Sequence, residues 1–265
     1  MTFLPSLRIT SPRNPLFVQM KRILKGKGVK KYRQSLVFGK KIVCEVLKRH
    51  GQYVTGIVVP EGIKNLVGLP PGSSIRVLEL SKSLFKEIDQ FKTNSPFLMV
   101  SRPVLPSWSG RLGPGCTLFV PFQDPENVGA VIRSAVAFGV GEIVLLQESA
   151  DPFHPKSIRS SAGVVFGAPL SQGPALKDLN RVVTGSDLVR IFALHMEGID
   201  IRDFRFGEGS FGLLPGLEGP GISGLSHTFQ SLKIPMVGRV ESLNAATAVA
   251  IALYEWSRRV MPPQE

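Results

Sequence analysis

The sequence predicts an α/β protein in two parts: a smaller basic α/β module over residues 1–107 and a parallel-sheet module over residues 108–265. Three observations carry that reading. Charge is divided, because residues 1–107 hold 19 Lys and Arg against 5 Asp and Glu while residues 108–265 hold 13 against 15, so nets of +14 and −2 sum to the formal +12. Pro103, Pro106, Gly110 and Gly113-Pro114-Gly115 make a linker by composition. Beyond it the apolar segments become short unbroken runs, Cys116–Pro121 and Ile143–Leu146, the pattern of strands covered on both faces.

Along the first module, Ser11-Pro12-Arg13-Asn14-Pro15 reads as a turn, and Leu16–Leu24 as a helix with Leu16, Met20, Ile23 and Leu24 at helical spacing. Lys25, Lys27, Lys30, Lys31 and Arg33 then surround Tyr32 in what composition predicts to be a flexible basic loop. Gly39–Lys48 reads as a helix with one apolar stripe, Gly56–Pro60 and Ile75–Leu80 as strands, and Ser83–Phe91 as a helix. In the second module, Asn127–Phe138 reads as a helix closed by Gly139, a residue suited to the left-handed position after a helix. Further strands are expected at Val164–Ala168, Arg190–Leu194, Phe211–Leu214 and Ile234–Val237. The last helix spans about Leu243–Arg259, and its alanines let another helix approach closely.

Composition excludes several classes. A 265-residue chain that is 43% hydrophobic buries a core and is not globally disordered. No apolar run approaches the ~18–20 residues of a membrane span, and Met1–Arg13 lack the apolar centre of a signal peptide, so a cytoplasmic protein without a membrane partner is expected. Two cysteines, Cys44 and Cys116, rule out a disulfide framework, and His50, His154, His195 and His227 lack metal-ligand spacing, so no metal is expected. Gly219–Gly224 matches G-x-G-x-x-G by letter, but too little chain follows for the rest of a dinucleotide-binding sheet. Neither a phosphate-binding G-x-x-x-x-G-K-[ST] loop nor a G-x-S-x-G elbow occurs. Within Arg13–Arg49, 12 basic residues face one acid, Glu45, a density that points to a polyanion.

Three segments are more specific. Asp124-Pro125-Glu126-Asn127-Val128-Gly129-Ala130-Val131-Ile132-Arg133-Ser134-Ala135 is a polar turn and then a helix from which Arg133 projects. Asp151–Gly163 is a small-residue loop that includes Arg159, Ser160 and Ser161. The third runs from Gly216-Leu217-Glu218-Gly219 to Ile234-Pro235-Met236-Val237-Gly238 and Glu241-Ser242-Leu243-Asn244. In this order they resemble the SpoU/TrmH family of RNA ribose 2′-O-methyltransferases, members of the SPOUT superfamily, most strongly over the family's three signature blocks, Asn127–Ala135, Arg159–Gly163 and Ile234-Pro235-Met236 to Glu241-Ser242-Leu243-Asn244. The resemblance covers essentially the whole chain; residues 1–107 resemble more loosely the ribosomal-protein-like domain with which many members bind substrate.

The resemblance implies a C-terminal α/β trefoil knot that binds S-adenosylmethionine. Gly216, Ile234 and Leu243 would contact the cofactor largely through their backbone, with Met236 nearby. Arg133 matches the family's essential arginine, which the family resemblance sometimes casts as general base; since a guanidinium stays protonated, the residue type favours instead an electrostatic role, holding a phosphate and stabilising the developing alkoxide. Asn127, Glu218, Ser242 and Asn244 match the polar positions that orient Arg133 and the ribose, while Arg159 and Ser160 would face RNA together with Lys25, Lys27, Lys30, Lys31 and Arg33. A homodimer acting on ribosomal RNA is expected. The alternatives are a transfer-RNA enzyme with the same chemistry and a non-catalytic RNA-binding protein of the same fold.

Overall fold

The structure, a computed structural model, describes residues 7–63, 75–183, 190–207, 209–216, 229–238 and 242–260. Along the chain come β1 (Leu7–Ile9), α1 (Pro15–Leu24), α2 (Lys27–Tyr32), β2 (Gln34–Val37), α3 (Lys40–Arg49), β3 (Val54–Pro60), β4 (Arg76–Leu80), α4 (Lys82–Ile88) and β5 (Phe97–Ser101). There follow β6 (Cys116–Val120), α5 (Pro125–Ala137), β7 (Glu142–Leu145), α6 (Pro155–Ser160), β8 (Leu170–Gln172), α7 (Leu179–Val182), β9 (Ile191–Asp200), β10 (Phe211–Leu214), β11 (Gln230–Lys233) and α8 (Ala245–Val260). They divide into two compact units: residues 1–104 with 151–167, and residues 105–150 with 168–265.

The first unit is a five-stranded mixed sheet in the order β1-β4-β3-β5-β2, with β5 antiparallel to both its neighbours. Asn14 starts α1 by accepting a hydrogen bond from the Leu16 N–H at 2.9 Å, and Pro15 takes the first helical position. The helix buries Phe17, Met20, Ile23 and Leu24. The basic stretch after it is not a loop: Lys27–Tyr32 forms α2. Gly26 turns the chain at φ 79°, and a Cβ on Gly28 would lie 2.5 Å from the Ile23 nitrogen, so only glycine lets α2 approach α1 this closely.

Residues 151–167, which the sequence reading places in the second module, pack inside this first unit. Phe153 and Phe166 are buried with ring centroids 5.7 Å apart, and Ser35 donates to the Phe153 carbonyl at 2.5 Å. Arg102 pairs with Asp151 at 3.0 Å, both side chains largely buried. Val164–Phe166 is a short 3-10 turn rather than the expected strand, entered through Gly163 at φ 84°, and the strand of this region is β8.

The second unit is a six-stranded sheet, β11-β9-β10-β6-β7-β8, in which every pair is parallel. All five residues of β6 are buried, as its unbroken apolar run predicts. On one side Phe119, Val144, Ile191 and Leu214 pack with Trp108. The final helix behaves as its alanines suggest: α8 buries Ala245, Ala246, Val249, Ala252 and Leu253 and packs with α5. The strand expected at Ile234–Val237 lies earlier, at β11, because Pro235 has no N–H to offer the ladder.

Candidate active site

In a parallel sheet the strands' C-terminal ends share one edge, and ligands gather where successive connections leave in opposite directions. That point here lies between the adjacent strands β6 and β10: from β6 the chain proceeds to β7 and β8 on one side, and from β10 to β11 on the other. The first and third of the specific sequence segments, from Asp124 and from Gly216, begin just after these two ends.

After β6, Asp124 accepts a hydrogen bond from the Glu126 N–H at 2.9 Å, and Pro125 sets the first turn of α5. This places Asn127 in the first turn. Asn244, immediately before α8, accepts from the Thr247 N–H at 3.2 Å through Oδ1, and its own carbonyl accepts from Ala248 at 2.9 Å. With Oδ1 occupied in capping, Nδ2 points away and donates to Asn127 Oδ1 at 3.0 Å. The structure thus joins two predicted site residues 117 positions apart.

After β10, a Cβ on Gly216 would meet the Leu194 carbonyl oxygen at 2.9 Å, so the chain passes β9 at a distance open to glycine alone. Ile234 and Met236, beyond the end of β11, and Leu243 are half-buried, while Ser242 is exposed. A narrow glycine-lined turn with half-buried apolar walls fits an adenosine group read through backbone polar atoms. Glu218 and the Gly219–Gly224 run lie outside the described residues.

Arg133 is exposed, six residues beyond Asn127 and so about 120° around the helix from it. Its guanidinium has no carboxylate partner among the described residues. Two other groups of the second unit with shifted pKa values are unsuited to acid–base or nucleophilic work. Asp200 at the end of β9 is held down to about 2 by hydrogen bonds from Arg202, so it is a poor base. Burial pushes the Cys116 thiol well above its ordinary range, leaving it inert. Among the described residues no three His, Cys, Asp or Glu side chains converge as metal ligands, and no helix is long and apolar enough to cross a membrane.

The expected RNA-facing residues fall in the first unit. Lys25, Lys27, Lys30, Lys31 and Arg33 are all exposed, on and around α2. Arg22 donates to the Tyr32 hydroxyl at 3.0 Å. Arg159 and Ser160 lie on α6, and Ser160 Oγ donates to the Ser157 carbonyl at 3.4 Å. The Arg102–Asp151 pair that roots this segment went unnoticed in the sequence; 49 positions separate the two and no local pattern links them.

The sequence profile of the SpoU rRNA Methylase family matches residues 117–254. The chain is 41% identical over 254 residues, 95% of its length, to the Ribosomal RNA small subunit methyltransferase G 2 of Syntrophobacter fumaroxidans. It is 28% identical over 250 residues, 93% of its length, to the 23S rRNA (guanosine(2553)-2'-O)-methyltransferase RlmP of Bacillus subtilis. It spans about half of the first relative (49%) and 98% of the second. Among solved structures, the AdoMet-bound rRNA methyltransferase of Sinorhizobium meliloti superposes with a TM-score of 0.78 at 25% identity, covering 97% of this chain and 99% of that one.

Proposed function

Because this chain belongs to the SpoU rRNA Methylase family, we propose that it transfers a methyl group from S-adenosylmethionine to a ribose 2′-hydroxyl of ribosomal RNA. The observation that carries the reading is the Asn244–Asn127 hydrogen bond, which ties the third signature block to the first beside the β6–β10 switch point. The relatives named above that act on ribosomal RNA support the substrate class, as does the +14 charge of residues 1–107.

Bound S-adenosylmethionine supplies an electrophilic methyl on its sulfonium. Gly216, Ile234, Met236 and Leu243 hold the cofactor, the glycine by leaving room and the others as apolar walls. A ribose hydroxyl is a weak nucleophile, so the protein must fix it in line and stabilise the charge that develops as its proton leaves. Arg133, which meets no carboxylate among the described residues, holds the adjacent phosphate and stabilises the alkoxide. Asn127, locked by Asn244, orients the ribose together with Ser242 and Glu218. The basic residues of α2 gather the RNA.

A homodimer is part of the proposal. Exposed Val136 and Tyr254, on the packed helices α5 and α8, are large apolar groups of the kind that a partner covers. Arg133 shares the exposed side of α5 with Val136 and Ala137, so a second copy bound there lies beside the guanidinium.

The test combines calorimetry with S-adenosylhomocysteine and a single-turnover methylation assay on ribosomal RNA. The parent protein should bind the product cofactor and methylate ribose. Arg133→Ala should bind it within a few-fold of the parent yet lose ~10²–10³ in rate. RNA binding without any affinity for S-adenosylhomocysteine would establish the non-catalytic reading instead.

A further inference from the structure

Two arginines of the first unit lie over phenylalanine rings, and among the described residues only one of them meets a carboxylate. Arg102 Cζ sits 5.4 Å from the Phe153 ring centroid, and its charge is met by Asp151 at 3.0 Å. That stack is complete in itself. Arg159 Cζ sits closer, 4.4 Å from the Phe91 centroid. Its side chain is exposed, and among the described residues no carboxylate pairs with it.

Both partners are held in place from behind. The Phe91 ring stands edge-to-face against buried Phe38, centroids 5.3 Å apart. Its turn is organised by the buried carboxylate of Asp89, which accepts from Thr93 Oγ1 at 3.1 Å and from the Asn94 N–H at 2.7 Å. Lys92 and Asn94 take left-handed φ values of 51° and 49°, which residues with side chains seldom adopt, and both are exposed. On the other side, α6 is rooted by buried Ile158 and by Ser157 Oγ, which donates to the Asp151 carbonyl at 3.1 Å.

We infer that Phe91 and Arg159 form a stacking platform for one unpaired base of an RNA strand, with Lys92 beside it to meet a phosphate. The inference rests on the proposed action on RNA and adds to it a site for a single-stranded nucleotide. A guanidinium is planar and weakly hydrated, so it stacks on a base where an ammonium does not. Phe91 has already restricted the arginine, which lowers the ordering cost on binding. The base must be unpaired, because stacking needs its free π-face.

The test uses the full chain and a short single-stranded oligoribonucleotide that carries 2-aminopurine, whose fluorescence reports stacking. Phe91→Leu keeps the apolar bulk against Phe38 and removes the ring; Arg159→Lys keeps the charge and removes the plane. Each should weaken binding about tenfold and relieve the quenching, within the range that a stacked base contributes. Neither should change the log–log salt slope, since neither removes a charge. Parental affinity in Arg159→Lys would show Arg159 to be a point charge for a phosphate or carboxylate and overturn the platform. Unaltered binding by a folded Phe91→Leu protein would do the same; if that variant melts early, Arg159→Lys decides alone. Methyl transfer by the parent is measured in parallel. A parent that never methylates, with binding weakened in both variants, overturns the enzymatic reading and leaves the platform standing.

Discussion

Asn244 holds two bonds that one substitution can separate. Its Oδ1 caps α8 through the Thr247 N–H at 3.2 Å, and its Nδ2 donates to Asn127 at 3.0 Å. Asn244→Ala loses both: ~1 kcal/mol for the cap and about 0.5 kcal/mol for a solvent-accessible side-chain bond, together about 1.5 kcal/mol. Asn244→Asp keeps an oxygen for the cap and places a negative charge at the helix N-terminus, which is favourable. Its stability should therefore stay within about 0.5 kcal/mol of the parent. It has no N–H for Asn127, however, and sets a carboxylate against an amide oxygen. Methyl transfer should fall ~10–100-fold, the scale set by a misplaced positioning group. The chain's two tryptophans, Trp108 and Trp256, both lie buried in the second unit, so tryptophan fluorescence during denaturant unfolding reports on the unit that carries Asn244. Single-turnover kinetics supply the rate. Full activity in a stable Asn244→Asp protein would refute the role given to the Asn127 link, and an Asn244→Ala protein as stable as the parent would refute the cap.

Gly216→Ala should lower S-adenosylhomocysteine affinity at least tenfold by calorimetry, since its Cβ would stand 2.9 Å from a backbone oxygen that cannot rotate away; parental affinity would move the pocket elsewhere. Replacing Lys25, Lys27, Lys30, Lys31 and Arg33 with serine should reduce the salt slope of RNA binding by several units, at ~0.7–0.9 for each lost phosphate contact; parallel slopes would make α2 a solvated surface only. His50, whose ring lies 5.9 Å from that of Phe166, has its pKa lowered from 6.5, chiefly by burial and then by Arg49. The unfolded chain therefore binds the extra proton first, and stability should fall as pH drops below 6.5, a dependence that His50→Gln should flatten in melts followed by circular dichroism. Deleting residues 1–107 should leave Phe153 and Phe166 without their covering core, so the remainder should bind a hydrophobic dye and be cut by protease between residues 151 and 167.

What the sequence made legible was local. The β6–α5–β7 passage could be read because its signals lie within it: an unbroken apolar strand, a polar turn, and Gly139 at φ 71° to end the helix, whose start at Pro125 falls two residues before the expected Asn127 because Asp124 caps it. The misreadings have tertiary causes. Gly26 and Gly28 look like loop residues, yet Gly28 is there because α1 leaves no room for a Cβ. Short apolar runs such as Val164–Ala168 and Ile234–Val237 do not distinguish a strand from any other buried segment. The Asn127–Asn244 bond could be anticipated only through the family resemblance, since no periodicity relates residues 117 positions apart.

The deepest departure from a linear reading is the connection from β7 to β8. These strands are parallel neighbours in the second sheet, yet the chain between them contributes residues 151–167 to the first unit. Nothing in the composition of that segment announces this. Its small residues and two cations, Lys156 and Arg159, read as a loop of the second module. Its anchors are residues of ordinary frequency: Phe153 and Phe166 in the core, Asp151 on Arg102, and the Ser35 hydroxyl on a carbonyl. A Cβ on Gly163 would stand 3.0 Å from the Ile42 side chain, so even the glycine that ends the family's second block is fitted to the first unit. The residues expected to face RNA are therefore built into one body, Arg159 and Ser160 with α2, although more than a hundred positions separate them. Asn127, Arg133, Gly216, Leu243 and Asn244, which we propose to serve cofactor and ribose, are built into the other. Specificity for a particular RNA should then follow from substitutions in residues 151–167 as readily as from those in residues 1–104, while methyl-transfer chemistry at Asn127 and Arg133 should be indifferent to both.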